Sequence, residues 1–159
     1  SSPAWQVMPD PAAATAASGT VLAFDFGLRR IGVALGETLL GQARALMVID
    51  SERNDVRFST IQRLIAEWQP VGLVVGLPCA VDGSEHEMTA RCRTFARQLE
   101  ERYRLPVCFV DERFSSTEAD ARLAGDALNW RERRKQLDAV AAQIILQDYF
   151  DTHSLSPAA

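Results

Sequence analysis

Apolar residues occur along the chain in two patterns, short apolar runs and longer segments with helical spacing. A run of roughly four to eight mostly apolar residues is typical of a buried strand. Spacings of three and four residues are typical of a helix that buries one face. The runs lie at 20–26, 30–35, 42–49, 71–77 and 106–110.

Helices are predicted after the third, fourth and fifth of these strands. Apolar residues recur on one face over 56–68, 88–103 and 131–149, and a capping-box pattern predicts a further helix over 115–123. The first three strands have short connections, which favour antiparallel pairing, whereas the later strands alternate with helices, which favours parallel pairing. The sequence therefore predicts an α/β domain with one five-stranded mixed sheet flanked by helices.

The length of 159 residues suits one domain with a full core. Residues 1–18 are mainly Ala, Pro, Ser and Thr and include no basic side chain, so we expect a flexible leader there. The folded domain is predicted over 19–150 and a flexible tail over 151–159. No apolar run approaches the ~20 residues of a membrane span, and no signal-peptide pattern opens the chain. We therefore expect no membrane partner.

Cysteine and histidine are scarce and scattered. Cys79, Cys92 and Cys108 form no CxxC pair, and the only histidines are His86 and His153. This composition argues against a disulfide framework and against a zinc site. It suits a reduced, cytoplasmic environment.

The net charge of −4 does not itself indicate nucleic-acid binding. However, residues 91–135 hold eleven of the seventeen basic side chains. A local basic face could contact phosphates, or these side chains could simply be solvated helix faces. The sequence leaves both interpretations open.

Acidic residues stand at the ends of two predicted strands. Asp25 lies near the end of the first strand, and Asp111 and Glu112 follow the last. The ends of strands in an open sheet bring together functional groups from distant parts of a sequence. Because side chains alternate between the faces of a strand, only one of Asp111 and Glu112 should share a face with Asp25, and periodicity does not say which.

A third carboxylate belongs to the last predicted helix. Asp138 lies on the side of this helix that carries Ala141, Ala142 and Ile145, opposite a stripe of glutamines at 136, 143 and 147. We therefore expect Asp138 to point toward the sheet. There it could pair with an arginine, or it could join the other carboxylates.

Three converging carboxylates are suitable ligands for one or two Mg²⁺ or Mn²⁺ ions. Such ions activate water and stabilise the leaving oxygen in phosphodiester cleavage. Arg29 and Arg30 in the first turn could contact phosphate or be exposed turn residues, and Arg113 could bind phosphate or pair with Asp111.

Four motifs follow one another along the chain. They are DFGLRRIGVA at 25–34, GLPCAVDGSE at 76–85, DER at 111–113 and KQLDAVAA at 135–142. In this order they resemble the motifs of the YqgF/RuvX family, and the resemblance covers about residues 19–150. It implies an RNase H-like fold related to Holliday-junction resolvases, and a nuclease that matures the 5′ end of pre-16S rRNA. One departure is that the fourth strand ends in Val-Gly-Leu over 75–77, where related resolvases have an acid.

The resemblance implies a role for three of the motif residues. The catalytic and metal-binding carboxylates would be Asp25, Glu112 and Asp138, with Mg²⁺ or Mn²⁺ as the cofactor. We further expect the phosphates of a pre-16S rRNA or of a small-subunit precursor particle to be positioned by Arg29, Arg30, Arg113 and Lys135.

Three alternatives remain open at this point. The first is a resolvase acting on branched DNA, which would need a dimer for symmetric cleavage; the chain itself is compatible with a monomer or a homodimer. The second is a non-catalytic nucleic-acid-binding or ribosome-assembly module. The third is a phosphatase or kinase-like ATPase, for which the chain is too short to supply two lobes.

Overall fold

The apolar runs form one mixed sheet, in a computed structural model that describes residues 18–78, 86–111 and 130–153. The five strands lie in the order β3-β2-β1-β4-β5. Neighbouring strands pair antiparallel for β1 with β2 and β2 with β3, and parallel for β1 with β4 and β4 with β5. The strands are β1 (Thr20–Phe26), β2 (Ile31–Glu37), β3 (Gln42–Ile49), β4 (Gly72–Leu77) and β5 (Val107–Asp111).

The predicted architecture is confirmed. The bounds of β1 and β3 are the predicted ones, β2 begins one residue later than predicted and ends two later, and β5 is displaced by one residue. A register shift between Val33 and Ala34 interrupts the pairing of β2 with β3, and Leu46 is the extra residue on β3.

Two helices cover one face of the sheet. They are α1 (Asn54–Trp68) and α2 (His86–Tyr103). Their apolar sides pack on alternate residues of the strands, including Leu22, Phe24 and Val33. Phe95 lies at the centre of this layer, with its ring centroid 5.8 Å from that of Phe24 and 4.8 Å from that of Phe26.

A single long helix, α3 (Trp130–His153), covers the other face. Its residues Ala142, Ile145 and Tyr149 are buried against Ala23 and Ala34 of the sheet. The helix continues four residues beyond the predicted end at 149, so its last three residues fall in the segment predicted as a tail. No helix within the described ranges has the length and apolarity needed to cross a membrane.

Glycines of β2 allow α3 to approach the sheet closely. A Cβ atom on Gly32 would lie 2.0 Å from the main-chain oxygen of Asp138, and one on Gly36 would lie 2.6 Å from the ring of Phe150. At Gly32 no side chain fits without moving the helix, and at Gly36 one would displace the Phe150 ring. At Gly32 the backbone of α3 therefore packs directly on the backbone of β2, which fixes the Asp138 backbone relative to the sheet.

Polar side chains of α3 also bind the outer edge of β3. Gln147 accepts a hydrogen bond from the amide of Ala43 at 3.0 Å and donates one to the carbonyl of Gly41 at 2.9 Å. Gln143 donates to the carbonyl of Ala43 at 3.0 Å. Two glutamines of the predicted polar stripe thus satisfy main-chain groups at a sheet edge.

Several predicted features lie outside the described residues. They are the helix over 115–123, Glu112, Arg113, most of the leader and the end of the tail; the predicted limits of the leader, domain and tail stay predictions.

Candidate metal and nucleic-acid site

Asp25 lies on the face of the sheet that α3 covers. It pairs in register with Gly32 of β2, and directly paired residues of antiparallel strands project to the same face. The missing side chain of Gly32 would point at α3, and Val21 and Ala23 of β1 are buried under the same helix. Asp25 continues this alternation and is half-buried near the end of β1.

Asp138 reaches the same place from the helix. Its main-chain oxygen lies over Gly32, the register partner of Asp25, so the two carboxylate-bearing residues flank one glycine. The Asp138 side chain is 27% exposed, which leaves it accessible to an ion or to a substrate. The sequence prediction that Asp138 faces the sheet agrees with this position.

Arg30, at the end of the turn between β1 and β2, forms an ion pair with Asp138. Its Nε donates a hydrogen bond to Oδ2 of Asp138 at 2.6 Å, and its side chain is 21% exposed. From the sequence, we expected Arg30 to contact phosphate, and we left open that Asp138 pairs with an unspecified arginine. The structure identifies that partner. Arg29, the preceding residue, is exposed.

The turn is anchored from the opposite side by Arg57 of α1. Its guanidinium donates hydrogen bonds to the carbonyls of Gly27 at 2.7 Å, Leu28 at 2.9 Å and Ser51 at 2.6 Å. Arg57 is only 4% exposed, and burial lowers the pKa of its guanidinium from the ordinary value. Charged donors to main-chain carbonyls make strong hydrogen bonds, so Arg57 holds the segment that follows Asp25.

Sequence reasoning missed Arg57, although a signal was present. Arg57 falls at helical spacing with Ile61 and Leu64, which are buried core residues. A charged side chain on the apolar face of a helix is costly unless it finds partners, and it therefore marks a specific buried interaction.

The packing of the β5 residues shows which of their side chains lie on the same face of the sheet as Asp25. Cys108 and Val110 are buried under α3, whereas Val107 packs with the α1 and α2 layer. Asp111, in register with Leu77, is four residues after Val107, so the side chains of these two residues lie on the same face of the strand. Asp111 therefore belongs to the face opposite Asp25 and Asp138.

Three further residues were predicted for the site, Glu112, Arg113 and Lys135. Glu112 and Arg113 lie outside the described residues, and of Lys135 only the helical backbone is described, three residues before Asp138. Within the described ranges, no three Asp, Glu, His or Cys side chains form a group that could hold a metal ion. Asp25 and Asp138 are the two predicted ligands that the structure brings to one face.

Comparison with known proteins gives consistent results. A family model described as "RuvX: Holliday junction resolvase" matches residues 19–152. A protein of Methylobacillus flagellatus named "Putative pre-16S rRNA nuclease" is 56% identical over 144 residues, which are 91% of this chain and 97% of that protein. A protein of Nitrosomonas europaea with the same name is 51% identical over 150 residues, 94% of this chain and 100% of that protein.

Solved structures share the fold at much lower sequence identity. A structure described as T. thermophilus RuvC in complex with a Holliday junction substrate has a TM-score of 0.54 and 16% identity, covering 84% of this chain and 94% of that one. A second structure, of Thermus thermophilus RuvC, has a TM-score of 0.51 and 15% identity, covering 84% and 95%. These similarities support the RNase H-like interpretation of the mixed sheet.

Proposed function

Because this chain belongs to the RuvX family, we propose that it is a metal-dependent nuclease that cleaves phosphodiester bonds in structured RNA, in the 5′-end maturation of pre-16S rRNA. The relatives that match nearly the whole chain carry the name of a pre-16S rRNA nuclease. The substrate would be the precursor rRNA or a small-subunit precursor particle, and the site of action would be the cytoplasm.

The observation that carries the proposal is the placement of Asp25 and Asp138. A strand and a helix that are more than a hundred residues apart in sequence bring two carboxylates to one accessible face around Gly32. Carboxylate oxygens are the ligands that Mg²⁺ and Mn²⁺ prefer.

The third carboxylate would be Glu112. Asp111 lies on the opposite face of the sheet, and this favours Glu112 as the residue that joins Asp25 and Asp138. The fourth strand supplies no acid to this face. Its residue at the corresponding position is Gly76, which is in register with Val110, a residue of the α3 face. The proposed site therefore depends on the strand after β4 for its last ligand.

When bound, a Mg²⁺ or Mn²⁺ ion would supply Lewis-acid activation of water and stabilisation of the leaving oxygen. The chain's own contribution is geometric. The direct packing of α3 on β2 holds the Asp138 carboxylate, and the sheet holds that of Asp25, so neither must be reorganised when substrate arrives. Arg29, Arg30, Arg113 and Lys135 would hold the flanking phosphates and align the scissile bond.

The test is cleavage of a pre-16S 5′-leader RNA with Mg²⁺ or Mn²⁺ by the wild type and by Asp25→Asn and Asp138→Asn. Each substitution keeps the size of the side chain and removes its charge, so we expect the rate to fall by about a hundredfold or more. Asp148→Asn is the matched control, because Asp148 is an exposed residue of the same helix about three turns away.

A loss of activity in both site variants but not in the control would support the nuclease. If wild-type protein binds the RNA and no metal supports cleavage, a non-catalytic binding or assembly module is the better description. If both site variants keep wild-type rates, the proposed metal site is wrong.

A second candidate substrate is a four-way DNA junction. The family model that matches this chain is described as a Holliday junction resolvase, and this description favours the candidate. The same assay with a junction of four labelled DNA strands decides between the two. Cleavage of the junction without cleavage of the RNA would assign the chemistry to branched DNA.

A further inference from the structure

Arg30 and Asp138 form an ion pair that joins the β1–β2 turn to α3. Arg30 belongs to the set predicted to bind phosphates, and Asp138 to the set predicted to bind metal. A predicted phosphate-binding residue, Arg30, is thus bonded to an oxygen atom of a predicted metal ligand, Asp138. While this pair is intact, each of the two residues has fewer atoms to offer to its own ligand.

We infer that Arg30 is an internal counterion of the metal site, and that a divalent cation must compete with its guanidinium for Asp138. This inference rests on the proposed function and deepens it. The Nε atom of Arg30 lies 2.6 Å from Oδ2 of Asp138, and this oxygen is one of the two that the carboxylate can offer to an ion. An arriving cation must either displace the guanidinium or share the carboxylate with it.

Both outcomes weaken metal binding. Displacement costs the ion pair, and sharing places a second positive charge within a few ångströms of the first. Because the Arg30 and Asp138 side chains are 21% and 27% exposed, solvent screens the interaction, and its effect on affinity should be modest. A displaced guanidinium would lie beside the metal site, where it can bind a substrate phosphate.

The test is the Mn²⁺ affinity of the full chain, measured by titration calorimetry without RNA, for the wild type and for Arg30→Met. Methionine keeps much of the length of the side chain and removes the charge. We expect Arg30→Met to bind Mn²⁺ about two- to fivefold more tightly, which corresponds to the strength of a partly exposed ion pair. A role of Arg30 in folding alone would leave the affinity unchanged or lower it.

The matched control is Arg29→Met. It removes the same charge from the adjacent position of the same turn, and Arg29 is exposed. We expect a change in Mn²⁺ affinity of less than about twofold, because solvent and salt screen an exposed charge. Equal effects of the two substitutions would show a general effect of charge and would overturn the inference.

A second measurement needs no variant of Arg30 and so does not depend on its folding. In the ¹H–¹⁵N spectrum of wild-type protein, the Nε–H signal of Arg30 should shift when Mg²⁺ is added, and its exchange with water should accelerate. The same addition to Asp138→Asn should leave the signal unchanged. An unchanged signal in wild-type protein that is saturated with Mg²⁺ would overturn the inference.

Different results would overturn the proposed function and the role of Arg30. If the wild type binds no Mn²⁺ or Mg²⁺ and cleaves no RNA, the proposed function fails. If the wild type binds the metal and Arg30→Met binds it no more tightly, the proposed function stands and only the role of Arg30 fails.

Discussion

The two faces of the sheet are packed differently. The face under α1 and α2 is filled by large side chains, with the Phe95 ring close to those of Phe24, Phe26 and Phe58. On the face under α3, large side chains also pack at the far end of the helix, but at Gly32 the helix backbone touches the strand backbone. The large side chains supply hydrophobic stability, whereas the close backbone contact fixes the position of Asp138.

This difference separates stability from site geometry. Burial of large apolar side chains provides most of the stabilising free energy of a domain, and such a layer tolerates small rearrangements. A carboxylate that must meet an ion requires a position fixed to a fraction of an ångström. Variants of the two faces should therefore differ in whether they change folding stability, metal affinity or both.

The largest expected effect on stability comes from Phe95→Ala in the aromatic layer. Phe95 is 3% exposed and contacts three other rings, so the cavity should cost about 4 kcal/mol of unfolding free energy. Urea unfolding monitored by circular dichroism measures this loss. A loss below about 1 kcal/mol would mean that this layer is not the main source of stability.

Gly32→Ala should lower both the folding stability and the metal affinity. The added methyl group would lie 2.0 Å from the Asp138 carbonyl, so α3 must move, at a cost of about 3 kcal/mol. Mn²⁺ affinity should fall as Asp138 moves with the helix. Gly41→Asn is the control, because its φ of 64° tolerates asparagine and a Cβ there meets nothing within 4 Å. Unchanged metal affinity in Gly32→Ala would contradict the proposed link between close packing and site geometry.

Arg57→Met tests the anchor that lies beneath the turn. It removes the donor to three main-chain carbonyls, and we expect a loss of about 2 kcal/mol in unfolding free energy. Metal affinity should fall a few-fold, because the segment after Asp25 loses its support. Arg63→Met is the control, since Arg63 is an exposed residue of the same helix. If Arg57→Met destabilises the protein without changing metal affinity, the turn does not position Asp25.

The smallest expected effect is that of Gln147→Ala, which leaves both layers intact. The substitution removes the two hydrogen bonds to the edge of β3, for about 1 kcal/mol. The amide of Ala43 should exchange with solvent faster than in the wild type. Exchange at buried β1 amides should change only as far as global stability does, and equal acceleration at both places would rule out a local role.

The sequence predicted most of the strand bounds and, at the site, the side of α3 on which Asp138 lies. Apolar runs bounded β1 and β3 correctly. β1 is mostly buried, whereas β3 is a largely exposed edge strand whose ends are marked by the flanking Gly41 and Asp50. Helical periodicity predicted that Asp138 faces the sheet, because Asp138 shares a side of the helix with Ala141, Ala142 and Ile145, which are buried. Both results depend on local patterns that a sequence displays directly.

The unpredicted contacts all join residues far apart in the chain. Periodicity placed Gln143 and Gln147 on a polar stripe but could not show that this stripe meets the edge of β3. The pairing of Arg30 with Asp138 spans 108 residues and depends on where α3 crosses the sheet. That crossing is set by the close approach at Gly32, which a sequence pattern of apolar and polar residues does not encode.

The glutamine contacts at β3 also affect how this protein behaves among its own copies. Exposed strand edges offer unpaired amides and carbonyls to which a strand of another molecule can add, and this addition begins many aggregates. At Ala43 both main-chain groups are already bonded within the molecule. This stretch of the edge is therefore closed to a foreign strand, which favours solubility while the protein is concentrated or newly made.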